Sequence, residues 1–136
     1  MTSVSKMIVQ YKNDMLFEAQ LGQHTIQIDV PSTMNGKNRG PTPPEFFFLS
    51  LASCIAAFVA NYCENAKLDA TDMKVELEYE KLSKGCFGNL NAKIILPHAN
   101  FEGREQAILR VAEHCPVHST ICEFEGLNIT LEPNGK

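Results

Sequence analysis

The stretch Gly40-Pro41-Thr42-Pro43-Pro44-Glu45-Phe46-Phe47-Phe48-Leu49-Ser50-Leu51-Ala52-Ser53-Cys54 decides the fold. Thr42 is of the N-cap type, and Pro43 suits the first helical position, where a missing N–H costs nothing. Glu45 follows Thr42 at capping-box spacing. The pattern predicts a long apolar helix from Thr42 to about Ala66. Ser50, Ala52, Ser53, Ala56, Ala57 and Ala60 are small, so another backbone can approach. A helix apolar on all sides has to be covered on all sides. Its apolar run, Phe46 to Ala60, is shorter than the ~20 residues of a membrane span and is interrupted by Ser50 and Ser53. A buried central helix is expected, and no membrane association.

Period-two alternation surrounds this helix. Lys6–Lys12 is rich in β-formers and ends in a turn signal, Asn13-Asp14. Phe17, Ala19 and Leu21 alternate with Glu18 and Gln20; Ile26, Ile28 and Val30 alternate with Gln27 and Asp29. Both patterns predict half-buried antiparallel strands, joined by a hairpin at Gly22-Gln23. Pro31 to Pro41 offers little apolar material and is expected to be a mobile loop. Met73–Leu82 reads as a strand, Ser83–Asn89 as a turn and Leu90–Leu96 as the returning strand. A second helix is expected over Glu102–Cys115. Pro116 cannot continue it but suits the start of another. Leu127, Ile129 and Leu131 alternate as a final strand. The order is βββ-α-ββ-α-β, an α+β class with antiparallel sheets packed around the long central helix, in one domain over residues 1–136.

The chain has 136 residues, five cysteines and a net charge of −4. That length can bury a core without disulfide staples, and an odd cysteine count leaves a thiol over in any paired scheme. The absence of a basic cluster argues against a nucleic-acid partner. The N-terminus, Met1-Thr2-Ser3-Val4-Ser5-Lys6, lacks the layout of an export signal, so a reducing cytoplasm is expected.

Two thiols stand out. Cys54 lies about three turns into its helix, beyond the reach of the helix dipole, so its activation has to come from another positive group. Cys115 becomes an N-cap if Pro116 opens a helix, where backbone N–H groups favour a thiolate, and His114 and His118 flank it. Either cysteine also reads as a small buried side chain. Cys63, Cys86 and Cys122 carry less signal. His114, Cys115, His118 and Cys122 offer metal-ligating chemistry, but not at the spacing of a zinc knuckle, and no metal or cofactor is expected. No Gly-x-Ser-x-Gly elbow or phosphate-binding glycine loop is present.

The Gly-Pro-Thr-Pro-x-Glu stretch at 40–45, the apolar helix leading to Ser53-Cys54, and Cys115-Pro116-Val117 together resemble the OsmC/Ohr family (osmotically inducible protein C and organic hydroperoxide resistance protein). The loop Gly36–Arg39 ahead of the helix looks most like the general OsmC-like branch. The resemblance implies an intertwined homodimer with central helices. It also implies a cysteine peroxidase that reduces organic hydroperoxides with an external thiol as reductant. In that scheme Cys54 is the peroxidatic and Cys115 the resolving cysteine, and Glu45 hydrogen-bonds an active-site arginine. Ohr members supply that arginine from the N-terminal strands. Here the first arginine is Arg39, the nearest stand-in, with Lys12 a poorer one. From the residues alone Arg39 reads first as a solvated loop charge, and Glu45 reads equally as half of a capping box. The alternative, from another class, is a dimeric small-ligand-binding or structural protein of the same fold without peroxidase turnover.

Overall fold

The computed structural model describes residues 3–133. The chain forms two compact units, Met1–Ser50 and Leu51–Lys136, and the boundary falls inside the long helix.

The first unit is a three-stranded antiparallel meander of β1 (Val9–Asn13), β2 (Leu16–Leu21) and β3 (His24–Ile28). Asp14 and Met15 both take positive φ, 53° and 61°, which matches the twist of a tight hairpin turn. Leu21 pairs with His24 across a two-residue turn that opens with Gly22 at φ 62°. Val9 faces Ala19, and Ala19 faces Ile26. β1 lies at the sheet edge and is exposed throughout.

The segment after β3 is not the free loop its composition suggests. A 3-10 turn at Ser32–Met34 folds it back, and the Asp29 N–H donates to the Pro41 carbonyl at 3.1 Å. A Cβ on Gly36 would collide with the Val30 carbonyl, and one on Gly40 with the Gln27 carbonyl. Glycine at these two positions lets the loop lie directly on the end of β3.

α1 runs Pro43–Ala66, with the bounds its caps predict. The Phe46 N–H donates to the Thr42 carbonyl, starting the helical ladder. The helix stops in a Schellman motif. Lys67 takes φ 60°, the Leu68 N–H reaches the Cys63 carbonyl at 2.8 Å, and the Lys67 N–H reaches Glu64. With 24 residues α1 is long and apolar enough, by length and composition, to cross a membrane. The helix extends beyond its apolar run, Phe46 to Ala60, through the polar residues Asn61, Glu64 and Asn65.

In the second unit α1 contributes the stripe Leu51, Ile55, Val59 and Cys63 to the core. This four-residue spacing keeps one face inward over several turns. The stripe packs with Leu96 from the end of the second sheet and with Ile108, Ala112 and Cys115. That sheet is the antiparallel pair β4 (Lys74–Lys81) and β5 (Phe87–Ile95), and Val75, Leu77 and Ile94 lie against the core. β5 begins at Phe87, within the segment expected to turn. Burial pushes the Cys63 thiol upward in pKa, with the Glu64 charge adding to it, as suits a space-filling core thiol. Coverage of α1 is one-sided, against expectation: Leu49 is 58% exposed and Phe58 37%.

α2 (Glu105–Glu113) is shorter than predicted, and α3 (Pro116–Cys122) follows at once. Cys115 between them has φ −67° and ψ 144°, the extended geometry a following proline imposes. The final strand expected at Leu127, Ile129 and Leu131 does not form. These side chains are 75%, 81% and 92% exposed, and no described strand pairs with them. Alternation supplies a face for a strand, but a strand also needs a backbone partner. The order among described residues is therefore βββ-α-ββ-α-α, an α+β fold with antiparallel sheets.

Candidate functional site

The second unit brings Cys54 and Cys115 together. Cys54 projects from α1 and is partly exposed; Cys115 sits at the α2–α3 joint and is fully buried. Cys54 packs against the core cluster that contains Cys115, close enough for each thiol to influence the other, and both are free.

Cys115 is the N-cap of α3. Its Sγ accepts the His118 backbone N–H at 3.3 Å, in place of the oxygen a serine or threonine cap would offer. Four influences act on its protonation. Burial is the largest and raises the pKa, and the His118 N–H opposes it. The neighbouring Cys54 thiol raises it further, and the Val117 N–H lowers it. The balance is upward, so Cys115 is held as the thiol.

The flanking histidines do not aim their rings at Cys115 as the sequence suggests. His114 Nδ1 lies 2.6 Å from the Arg110 carbonyl, and His118 Nδ1 lies 2.8 Å from the Glu113 carbonyl. A carbonyl only accepts, so both Nδ1 atoms carry the proton. The two rings cap the open C-terminal carbonyls of α2 and clamp the joint that holds Cys115. His118 acts on Cys115 through its backbone.

Arg39 and Glu45 lie in the first unit. Arg39 grips Asp29 from the side, Nε to Oδ2 at 2.7 Å and Nη2 to Oδ1 at 3.2 Å. Its Nη2 also donates to the Asp14 carbonyl at 2.8 Å, and its Nη1 to the Asp14 carboxylate at 3.3 Å. Asp29 is fully buried and collects the backbone N–H groups of Val30, Lys37 and Arg39 as well. The Arg39 guanidinium holds the Asp29 carboxyl well below the usual carboxylate range, despite burial, and those three N–H groups assist. Sequence reading missed Asp29. It occupies an outward, polar position in the β3 alternation, and only the return of the loop buries it. Glu45 accepts from the Thr42 N–H and from the Thr42 hydroxyl, both at 2.9 Å. The backbone bond is the main cause of its lowered pKa, then the hydroxyl. This is the reach-back half of a capping box.

One turn along from the paired thiols on both helices opens a cavity of about 410 Å³, lined by Phe58, Asn61, Tyr62, Arg110, Val111 and His114. Phe58 follows Cys54 by one helical turn, and Val111 precedes Cys115 by one. Tyr62 Oη accepts from Arg104 Nη1 at 3.0 Å. Among the described residues no three His, Cys, Asp or Glu side chains converge on a metal position.

A family model described as OsmC-like protein matches residues 36–132, which include Arg39, Glu45, Cys54 and Cys115. The chain belongs to the OsmC-like family. Solved structures agree with this OsmC-like fold. A Psychrobacter arcticus protein assigned to an osmotic-stress-induced detoxification response superposes with TM-score 0.75 at 19% identity, over 88% of this chain and 90% of that one. An OsmC-like protein from Mycoplasma pneumoniae gives 0.68 at 20% identity, over 91% of each chain. An organic hydroperoxide resistance protein from Elizabethkingia anophelis, with thiocyanate bound, gives 0.55 at 17% identity, over 88% of this chain and 91% of that one. No curated protein sequence matches the chain.

Proposed function

We propose that this OsmC-like protein is a thiol peroxidase that reduces organic hydroperoxides with Cys54 and Cys115. The observation that carries the reading is the juxtaposition of a partly exposed thiol and a fully buried one. Cys54, as thiolate, attacks the terminal peroxide oxygen. The O–O bond breaks, the alkoxide leaves as the alcohol after taking a proton, and Cys54 becomes a sulfenic acid. Cys115 then attacks the Cys54 sulfur and water departs, leaving a disulfide. An external dithiol returns two electrons and two protons by exchange. The asymmetry of access supports the division of roles: a peroxide meets Cys54 first, and Cys115 meets only Cys54.

Arg39 and Glu45 enter the proposal at the start of the helix. Arg39 ties down the loop that leads into it, and Glu45 fixes its first turn. A second copy of the chain is part of the reading as well. The exposed Leu49 and Phe58 on α1, and the unpaired alternation Leu127, Ile129 and Leu131, support a homodimer. We assign the protein to the cytoplasm, where thiol reductants are available. The relative named for organic hydroperoxide resistance supports the substrate class.

The cavity lined by Phe58, Tyr62 and Arg110 favours a second reading, a small-ligand-binding protein without turnover. One assay separates the two. With a dithiol reductant, the peroxidase consumes cumene hydroperoxide catalytically and Cys54→Ser does not; equal, background consumption by both proteins would leave only the binding reading.

A further inference from the structure

α3 carries a third thiol with its own base. Cys122 is exposed, and its Sγ lies 3.7 Å from His118 Nε2, one turn earlier on the same helix. The His118 ring is not free to choose its tautomer. Nδ1 faces the Glu113 carbonyl at 2.8 Å and has to be the protonated nitrogen, so in the neutral ring Nε2 presents its lone pair to Cys122. Nucleophile, base and a third group that orients the base are the parts of an activated cysteine. Here the orienting group is a main-chain carbonyl at the end of α2.

We propose that Cys122 is an S-thiolation site, at which small disulfides form a mixed disulfide with His118 as the base. The Cys122 S–H proton moves to His118 Nε2, and the sulfur attacks one sulfur of the disulfide R–S–S–R. A Cys122–S–S–R bond forms, the R–S–S–R bond breaks, and the leaving thiolate takes the proton and departs as R–SH. The imidazolium that forms keeps its Nδ1–H bond to Glu113 and gains an Nε2–H bond to the sulfur, so the ring need not move. The site is separate from the Cys54–Cys115 pair. Cys115 and Cys122 lie at opposite ends of α3, about 10 Å apart along the axis. That exceeds the ~7 Å limit between Cα atoms for a disulfide.

Cys86 provides an internal reference. It is also exposed, but it lies in the β4–β5 hairpin with no described histidine beside it. The Cys54→Ser protein, which cannot form the Cys54–Cys115 bond, is incubated at pH 7 with hydroxyethyl disulfide. This probe is uncharged, so neither Glu123 and Glu125 near one thiol nor Lys84 near the other biases the result. Peptide mapping follows each site with time. Cys122 is expected to be thiolated about tenfold faster than Cys86, and His118→Gln to bring the two rates together. Equal rates in the parent protein would overturn the proposal even if His118→Gln failed to fold, and so would an unchanged ratio in a folded His118→Gln protein.

Discussion

Cys54 and Cys115 are neighbouring thiols of unequal access, one reaching solvent from the side of α1 and the other sealed under the α2–α3 joint. The joint exists because a proline follows Cys115. Pro116 ends α2 early, forces Cys115 into an extended conformation and starts α3, whose first free N–H groups then meet the sulfur. A residue inside a continuous helix would have no such donors to accept from.

The division of roles predicts different traps for the two serine variants. Cys54→Ser abolishes reaction with hydroperoxide altogether. Cys115→Ser leaves the first oxidation intact and accumulates Cys54 sulfenic acid, which dimedone labels and mass spectrometry detects. Dimedone labelling that does not rise in Cys115→Ser would assign the resolving step to another thiol.

The upward displacement of the Cys115 thiol gives the resolving step a direction in pH. Cys115 attacks as thiolate, and burial keeps the thiolate scarce at neutral pH. The rate of disulfide formation, read by stopped-flow after a single equivalent of hydroperoxide, is expected to rise from pH 7 toward the alkaline side. A rate that falls over that range contradicts the protonation state assigned to Cys115.

The Asp29–Arg39 clamp stabilises the first unit in a specific pH window. The folded-state pKa of Asp29 is depressed, so its contribution is complete above the ordinary carboxylate value, ~3.9. It is lost as pH falls from there through the depressed folded value. Asp29→Asn is expected to lower Tm at pH 7, and the gap to the parent protein to shrink below about pH 4. Arg39→Lys should lower Tm nearly as much as Arg39→Ala, because lysine cannot grip both carboxylate oxygens and also reach Asp14. A Tm gap that widens on acidification would reverse the sign of this account.

Ile55 tests the core that carries the thiols. It is 6% exposed, adjacent to Cys54, and part of the stripe facing Ile108 and Ala112. Ile55→Ala is expected to cost about 2–5 kcal/mol in urea unfolding, through lost burial and the cavity left behind. A cost below about 0.5 kcal/mol is the range of surface substitutions and would contradict the packing described.

The fold is legible in the sequence wherever the signal is local. Thr42, Pro43 and Glu45 mark the start of α1, and Pro116 by itself marks Cys115 as an N-cap. The antiparallel hairpins follow from alternation and turn residues. The features that escape a sequence reading depend on the chain returning to itself. Asp29 has the pattern of an outward strand residue, and the 31–41 loop has the composition of a mobile one. Gly36 and Gly40 let that loop close over Asp29, where Arg39 and three N–H groups meet the carboxylate. Leu127, Ile129 and Leu131 alternate convincingly, yet a side-chain pattern carries no information on whether a partner strand is present. The juxtaposition of Cys54 and Cys115 is tertiary, and only the motif resemblance hints at it.

The most direct test of the central claim is oxidation of the fully reduced protein with one equivalent of an organic hydroperoxide, followed by disulfide mapping. The account predicts a single intramolecular bond between Cys54 and Cys115, formed with loss of both thiols and absent in Cys54→Ser. Unchanged thiols after exposure, or a bond that excludes Cys54, would contradict it.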